Sequence, residues 1–133
     1  MKLSTKGRYS VRAMCLLAQS KNSVSLSEIS KKEKISLDYL EQLFNKLKKQ
    51  KLVKSTRGPK GGYVLAKSPE KISMGDIISA VGEEVQINNC QAKKCSRIGT
   101  CPSSVLWQEM DKKINQTLNT VTLADLVKNK VLK

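Results

Sequence analysis

The sequence has no histidine. That removes Ser-His and Cys-His catalysis and any imidazole metal ligand. Acidic residues are few, 11 against 25 Lys and Arg, and no paired-carboxylate motif occurs among them. A small metal-dependent enzyme is therefore a poor expectation. No apolar run approaches the roughly 20 residues that a membrane helix requires. The start, MKLSTKGRYSVR, is basic but carries no apolar segment ahead of a cleavage site, so a secretory signal is not expected. A cytoplasmic protein with no membrane partner is the expectation, and there cysteines stay reduced and more often hold metal. The tight zinc spacing C-x2-C and the phosphate-loop pattern G-x-x-x-x-G-K-[ST] are both missing.

What is present is positive charge, and it is unevenly spread. Formal net charge is +14 over 133 residues. Residues 1–71 hold 17 Lys/Arg against 5 Asp/Glu, and residues 72–133 hold 8 against 6. The first half is a cationic module whose natural partner is a polyanion, with nucleic acid first. A merely solubilising lysine-rich surface is the alternative.

Apolar periodicity predicts a helix over 5–20, with Val11, Met14, Cys15 and Ala18 as its stripe. Cys15 reads as core packing. Ser25-Leu26-Ser27-Glu28 fits a capping box opening a short helix to about Lys34. Ser36 caps a third helix over 37–50. Leu37, Leu40, Phe44 and Leu47 form its inner stripe, while Asp38, Glu41, Gln42, Asn45 and Lys48 project outward. Tyr39 stands at the N-terminal end of the outer side. Helix, tight turn and polar-started helix is the helix-turn-helix plan, in which the second helix lays its first residues on base edges in the major groove. Gln and Asn suit adenine, and Asp and Glu accept from cytosine N4. An ordinary solvated helix face would look the same in sequence.

Two β-type runs, 51–56 and 63–66, flank Arg57-Gly58-Pro59-Lys60-Gly61-Gly62, a hairpin signal. A hairpin in that place is a wing, and its slender tip with Arg57 and Lys60 suits a narrow minor groove. Ser73-Met74-Gly75-Asp76 opens another short helix that Gly82 ends. Pro102 precedes a long helix over about 103–120. Its expected stripe is Leu106, Trp107, Met110, Ile114, Leu118 and Val121, with Asp111, Lys112, Lys113, Asn115 and Gln116 opposite. This chain offers little to cover that stripe, so a second subunit is the expected cover. Thr122 caps a last short helix. The expected fold is mainly α with a small β-hairpin wing. It divides into a winged helix-turn-helix region 1–82, a connecting loop 83–102, and a dimerisation helix with a short terminal helix over 103–133.

Three of the four cysteines, Cys90, Cys95 and Cys101, fall within twelve residues of polar loop. Three thiols cannot all pair within one chain. Wider spacing than C-x2-C suits an iron–sulfur cluster, whose separate irons need thiolates spread apart. Zinc and an oxidant-sensing thiol set stay open.

These blocks together resemble the Rrf2 family of winged-helix regulators, which holds IscR-like iron–sulfur sensors and NsrR-type and CymR-type regulators. The resemblance rests on Leu3-Ser4-Thr5-Lys6-Gly7-Arg8-Tyr9, on 35–44 (ISLDYLEQLF), on 52–63 (LVKSTRGPKGGY), on the three-cysteine loop and on 121–127 (VTLADLV). It implies a DNA-binding transcription regulator, acting as a repressor of iron–sulfur cluster biogenesis genes. It also implies a homodimer on a near-palindromic double-stranded operator. Cys90, Cys95 and Cys101 would hold an iron–sulfur cluster, of 2Fe–2S type by the IscR-like pattern, with 4Fe–4S left open. DNA contacts would come from Ser36, Asp38, Tyr39, Glu41 and Gln42 and, in the wing, Arg57, Gly58, Pro59, Lys60 and Gly61. The sequence departs from the pattern twice. Ser104 stands where IscR-like proteins carry a histidine ligand, and Arg8 stands where NsrR-type sensors offer an Asp. A cluster-free, thiol- or metabolite-responsive regulator of the same fold is the alternative function.

Overall fold

In the computed structural model, residues 4–59, 61–85 and 100–128 are described. Lys60 and residues 86–99, with Cys90 and Cys95 among them, lie outside the described residues. Helix α1 spans Thr5–Gln19, α2 Leu26–Glu33 and α3 Leu37–Lys49. Strands β1 (Val53–Thr56) and β2 (Gly62–Leu65) follow, then a one-turn helix Pro69–Lys71. Helices α4 (Met74–Ala80), α5 (Ser104–Thr120) and α6 (Leu123–Val127) complete the order.

The helix starts follow local chemistry. Ser25 accepts from the Glu28 N–H and Ser36 from the Tyr39 N–H, both at 3.2 Å. The reciprocal capping box forms at Ser73 with Asp76 and at Thr122 with Asp125. The two strands pair antiparallel, Val53 opposite Leu65 and Thr56 opposite Gly62.

One core holds the first helices, the wing base, α4 and α6 together. Met14, Ile29, Leu40, Phe44, Leu47, Ile72, Ile77 and Leu123 are all fully enclosed. The terminal helix α6 is thus a structural part of the cationic half. Leu123 N–H donates to Ile72 O at 2.8 Å, and Met74 N–H to Val121 O at 3.0 Å.

Three sequence expectations about helix faces change. The buried face of α1 is Gly7, Ser10, Ala13, Met14 and Leu17, with Val11, Cys15 and Ala18 half-buried beside it. The buried face keeps the helical period and is rotated in phase from the expected stripe, since it takes in the small residues Gly7 and Ser10 that an apolar count passes over. Leu37 leaves the inner stripe of α3 and is 40 % exposed. Leu43 is buried with Leu40, Phe44 and Leu47 instead, and Leu37, at the first helical position, is only partly covered. On α5, Asp111 is buried instead of standing on the solvated side, and Leu106 and Met110 are exposed. Gly75 explains how closely α5 approaches: a Cβ there would collide with the Asn119 side chain.

Candidate nucleic-acid interface and cysteine loop

The turn between α2 and α3 is locked from both sides. Lys34 adopts the left-handed conformation at φ 56° and ends α2. Ile35 is buried, its N–H donates to Ser30 O, and the Ser30 hydroxyl donates back to Ile35 O at 2.6 Å. Arg12, on α1, clamps the same corner. Its Nε donates to Glu33 Oε1 at 3.0 Å and its Nη2 to Glu33 O at 2.7 Å. The guanidinium also sits 5.4 Å above the Tyr9 ring. Sequence reading missed this clamp, because a pair on different helices carries no periodic signal.

From that corner α3 presents Ser36, Asp38, Glu41, Gln42 and Asn45 as exposed side chains. Tyr39 is half-buried. Its ring packs edge-on against Tyr9 at 5.9 Å and its hydroxyl lies 3.2 Å from Thr5 Oγ1. Its hydroxyl end therefore sits against the start of α1, while its neighbours face outward.

The wing stands beside this face and is tied to it. Lys48 Nζ donates to Ser55 Oγ at 3.3 Å. At its base Tyr63 exchanges both backbone hydrogen bonds with Val24, at 2.8 and 3.0 Å. The Tyr63 ring packs on Phe44 at 4.9 Å. Gly62 permits this junction, since a Cβ there would lie 2.5 Å from the Val24 carbonyl. The tip turns through Gly58 at φ 109°, closed by Gly61 N–H to Gly58 O at 2.8 Å. Arg57 and Pro59 are exposed at the tip. Ser36, Asp38, Glu41 and Gln42 are thus exposed at the start of α3, and Arg57, Gly58 and Pro59 are exposed at the tip of a wing tied to the later part of α3 through Lys48 and Ser55.

Of the three loop cysteines, Cys101 is described. It is half-buried at the mouth of α5, with its sulfur 3.0 Å from the Ser103 hydroxyl oxygen. Ser104 is buried, and its hydroxyl donates to the Cys101 carbonyl at 2.7 Å. That hydroxyl closes the first turn of the helix, the ordinary role of a serine in this place. Cys15 lies apart on α1. Burial, and then the nearby Glu33 carboxylate, push its thiol above the ordinary value of 9.0, so at neutral pH it is a protonated packing group. Among the described residues no helix is long and apolar enough to cross a membrane.

Known proteins share this arrangement. The chain is 46% identical over 132 residues to the HTH-type transcriptional regulator IscR of Sodalis glossinidius (strain morsitans), covering 97% of this chain and 80% of that one. Among solved structures, T. potens IscR superposes with a TM-score of 0.80 at 38% identity, covering 97% of this chain and 88% of that one. CymR, the global cysteine regulator of B. subtilis, superposes at 0.81 with 34% identity over 97% and 98% of the two chains. Residues 3–129 match the family described as Rrf2, iron-dependent transcriptional regulator. With a mainly helical winged fold and relatives that are regulators and not enzymes, this chain belongs to the Rrf2 family of transcriptional regulators.

Proposed function

We propose that the protein is a cytoplasmic homodimeric repressor of iron–sulfur cluster biogenesis genes, which binds a near-palindromic operator under the control of an iron–sulfur cluster. The observation that carries the DNA half is the exposed polar start of α3 with the wing tied beside it through Lys48 and Ser55. In this reading Ser36, Asp38, Tyr39, Glu41 and Gln42 meet the major groove. Arg57, with Gly58, Pro59, Lys60 and Gly61, enters the minor groove, where negative potential draws a guanidinium. The exposed Leu106 and Met110 on α5 support a second copy as its cover.

Cys90, Cys95 and Cys101 would hold the cluster. The donor chemistry at Cys101 fits: a sulfur at a helix mouth with a hydroxyl 3.0 Å away resembles the hydrogen-bonded thiolates that hold such clusters. Bound there, the cluster would supply a redox- and supply-sensitive group at the start of α5. The type that the IscR-like relatives favour is 2Fe–2S, with 4Fe–4S as the variant. Anaerobic purification followed by visible spectroscopy tests this. We expect a coloured protein that loses its chromophore in Cys90→Ser, Cys95→Ser and Cys101→Ser and keeps it in Cys15→Ser. Retention in any two of the loop variants would refute the assignment.

One observation favours a second reading, a cluster-free regulator responding to oxidants or a metabolite through its thiols. Ser104, in the place of the IscR-like histidine, spends its hydroxyl on the Cys101 carbonyl. A colourless protein whose operator affinity changes on thiol oxidation would select that reading.

A further inference from the structure

Among the described residues, the large apolar side chains left exposed are Leu37, Val105, Leu106 and Met110. Three are on α5, on or beside the strip assigned above to a second copy. Leu37 is the exception. It is the first residue of α3, directly after the Ser36 cap, and 40 % of it is open. It stands outside the core cluster, and a large part of its side chain stays open after packing within the chain.

Its direction can be read from the helix. At about 100° per residue, Glu41 lies about 40° round α3 from Leu37 and one turn further on, and Lys48 lies within about 20° of it. Lys48 is the residue that reaches the wing at Ser55. By the same count the fully buried Phe44 lies about 20° to the other side, so Leu37 stands at the border of the core face, between Phe44 and the flank that carries Lys48 and Glu41. Being at the helix start, it leans out over the end that the reading above places deepest in the groove.

The major groove offers one apolar feature on base edges, the C5-methyl of thymine. Asp38, Glu41 and Gln42 gain nothing from a methyl group, whereas the exposed part of a leucine side chain does. We propose that Leu37 is a specificity-determining residue that packs on a pyrimidine C5-methyl, that of a thymine beside the base read by Glu41. This rests on the operator-binding reading above. Burying one methyl-sized group in such a contact corresponds to a factor of about four in affinity.

The test uses the full-length protein and a duplex selected by it from a random pool, with single thymines replaced by deoxyuridine, which lacks only the methyl. Affinity is read by fluorescence anisotropy at one fixed salt concentration. Wild-type protein should lose roughly threefold to fivefold at one thymine in each half-site. Leu37→Ala should bind the parent duplex more weakly by that factor at each half-site and be indifferent to the same replacement, while keeping its helical fold by circular dichroism. Putting 5-methylcytosine rather than cytosine at that position should restore the methyl share of the affinity to wild type alone. Indifference of wild type to every methyl deletion would overturn the proposal, and so would a methyl effect of the same size in Leu37→Ala. Failure of wild type to select any duplex would instead overturn the operator reading, and Leu37's role with it.

Discussion

Cys15 shows how a single side chain ties stability to pH. Burial and the Glu33 carboxylate both favour its neutral thiol, so its pKa in the folded chain lies above the ordinary 9.0. The folded state then holds this proton more tightly than the unfolded state does. The contribution is complete below the unfolded value and disappears as pH climbs through the folded one. Denaturant unfolding of wild type and Cys15→Ala should therefore keep a constant stability difference from pH 7 to 8. Above about pH 9 wild type should lose ground relative to the variant. Parallel curves up to pH 10.5 would show that the thiol feels no such environment. The result also separates Cys15 from the loop thiols, because a group held protonated makes a poor ligand and a slow nucleophile.

Among the elements, the wing depends most on one residue type at one place. Gly62 lets β2 press against the Val24 backbone, and that contact joins the hairpin to the strand-like segment before α2. Gly62→Ala should separate them, costing on the order of 1–3 kcal/mol as other overpacking changes do. It should also speed cleavage of the hairpin by a protease while α3 stays protected. Equal cleavage rates in the two proteins would show that the junction tolerates a methyl. How legible such elements are depends on how local their causes are. The caps at Ser25, Ser36, Ser73 and Thr122, the hairpin and the long helix α5 all follow from residues within four positions of one another, and the sequence announces them. The rotated face of α1, the burial of Asp111 and the clamp of Arg12 on Glu33 depend on which helix lies opposite. Only the packed chain decides that. The candidate base-contacting residues were legible as a polar face, yet Leu37 was misread, because an apolar residue at the right period looks like core whether or not anything covers it.

At the scale of the whole molecule, the last helix closes the first ones. Leu123 is fully enclosed against residues that come some fifty to one hundred positions earlier. The Ser73–Thr122 bridge holds α6 there. Leu123→Ala should thus cost about 2–5 kcal/mol, the range for emptying a buried leucine site. It should lower the unfolding midpoint of the helix-turn-helix and of α5 together in one transition. Two separated transitions would mean that the cationic half is stable without its terminal helix.

The same closure sets an order of events during synthesis. The chain is made from its N-terminus at about 5–20 residues per second, so the helix-turn-helix leaves the ribosome well before Leu123 exists. Until then its core lacks the side that Leu123 fills against α1 and the Pro69–Lys71 turn. A nascent or prematurely terminated chain should therefore lack the finished core, and folding of the first helices should be completed only when α6 has been translated.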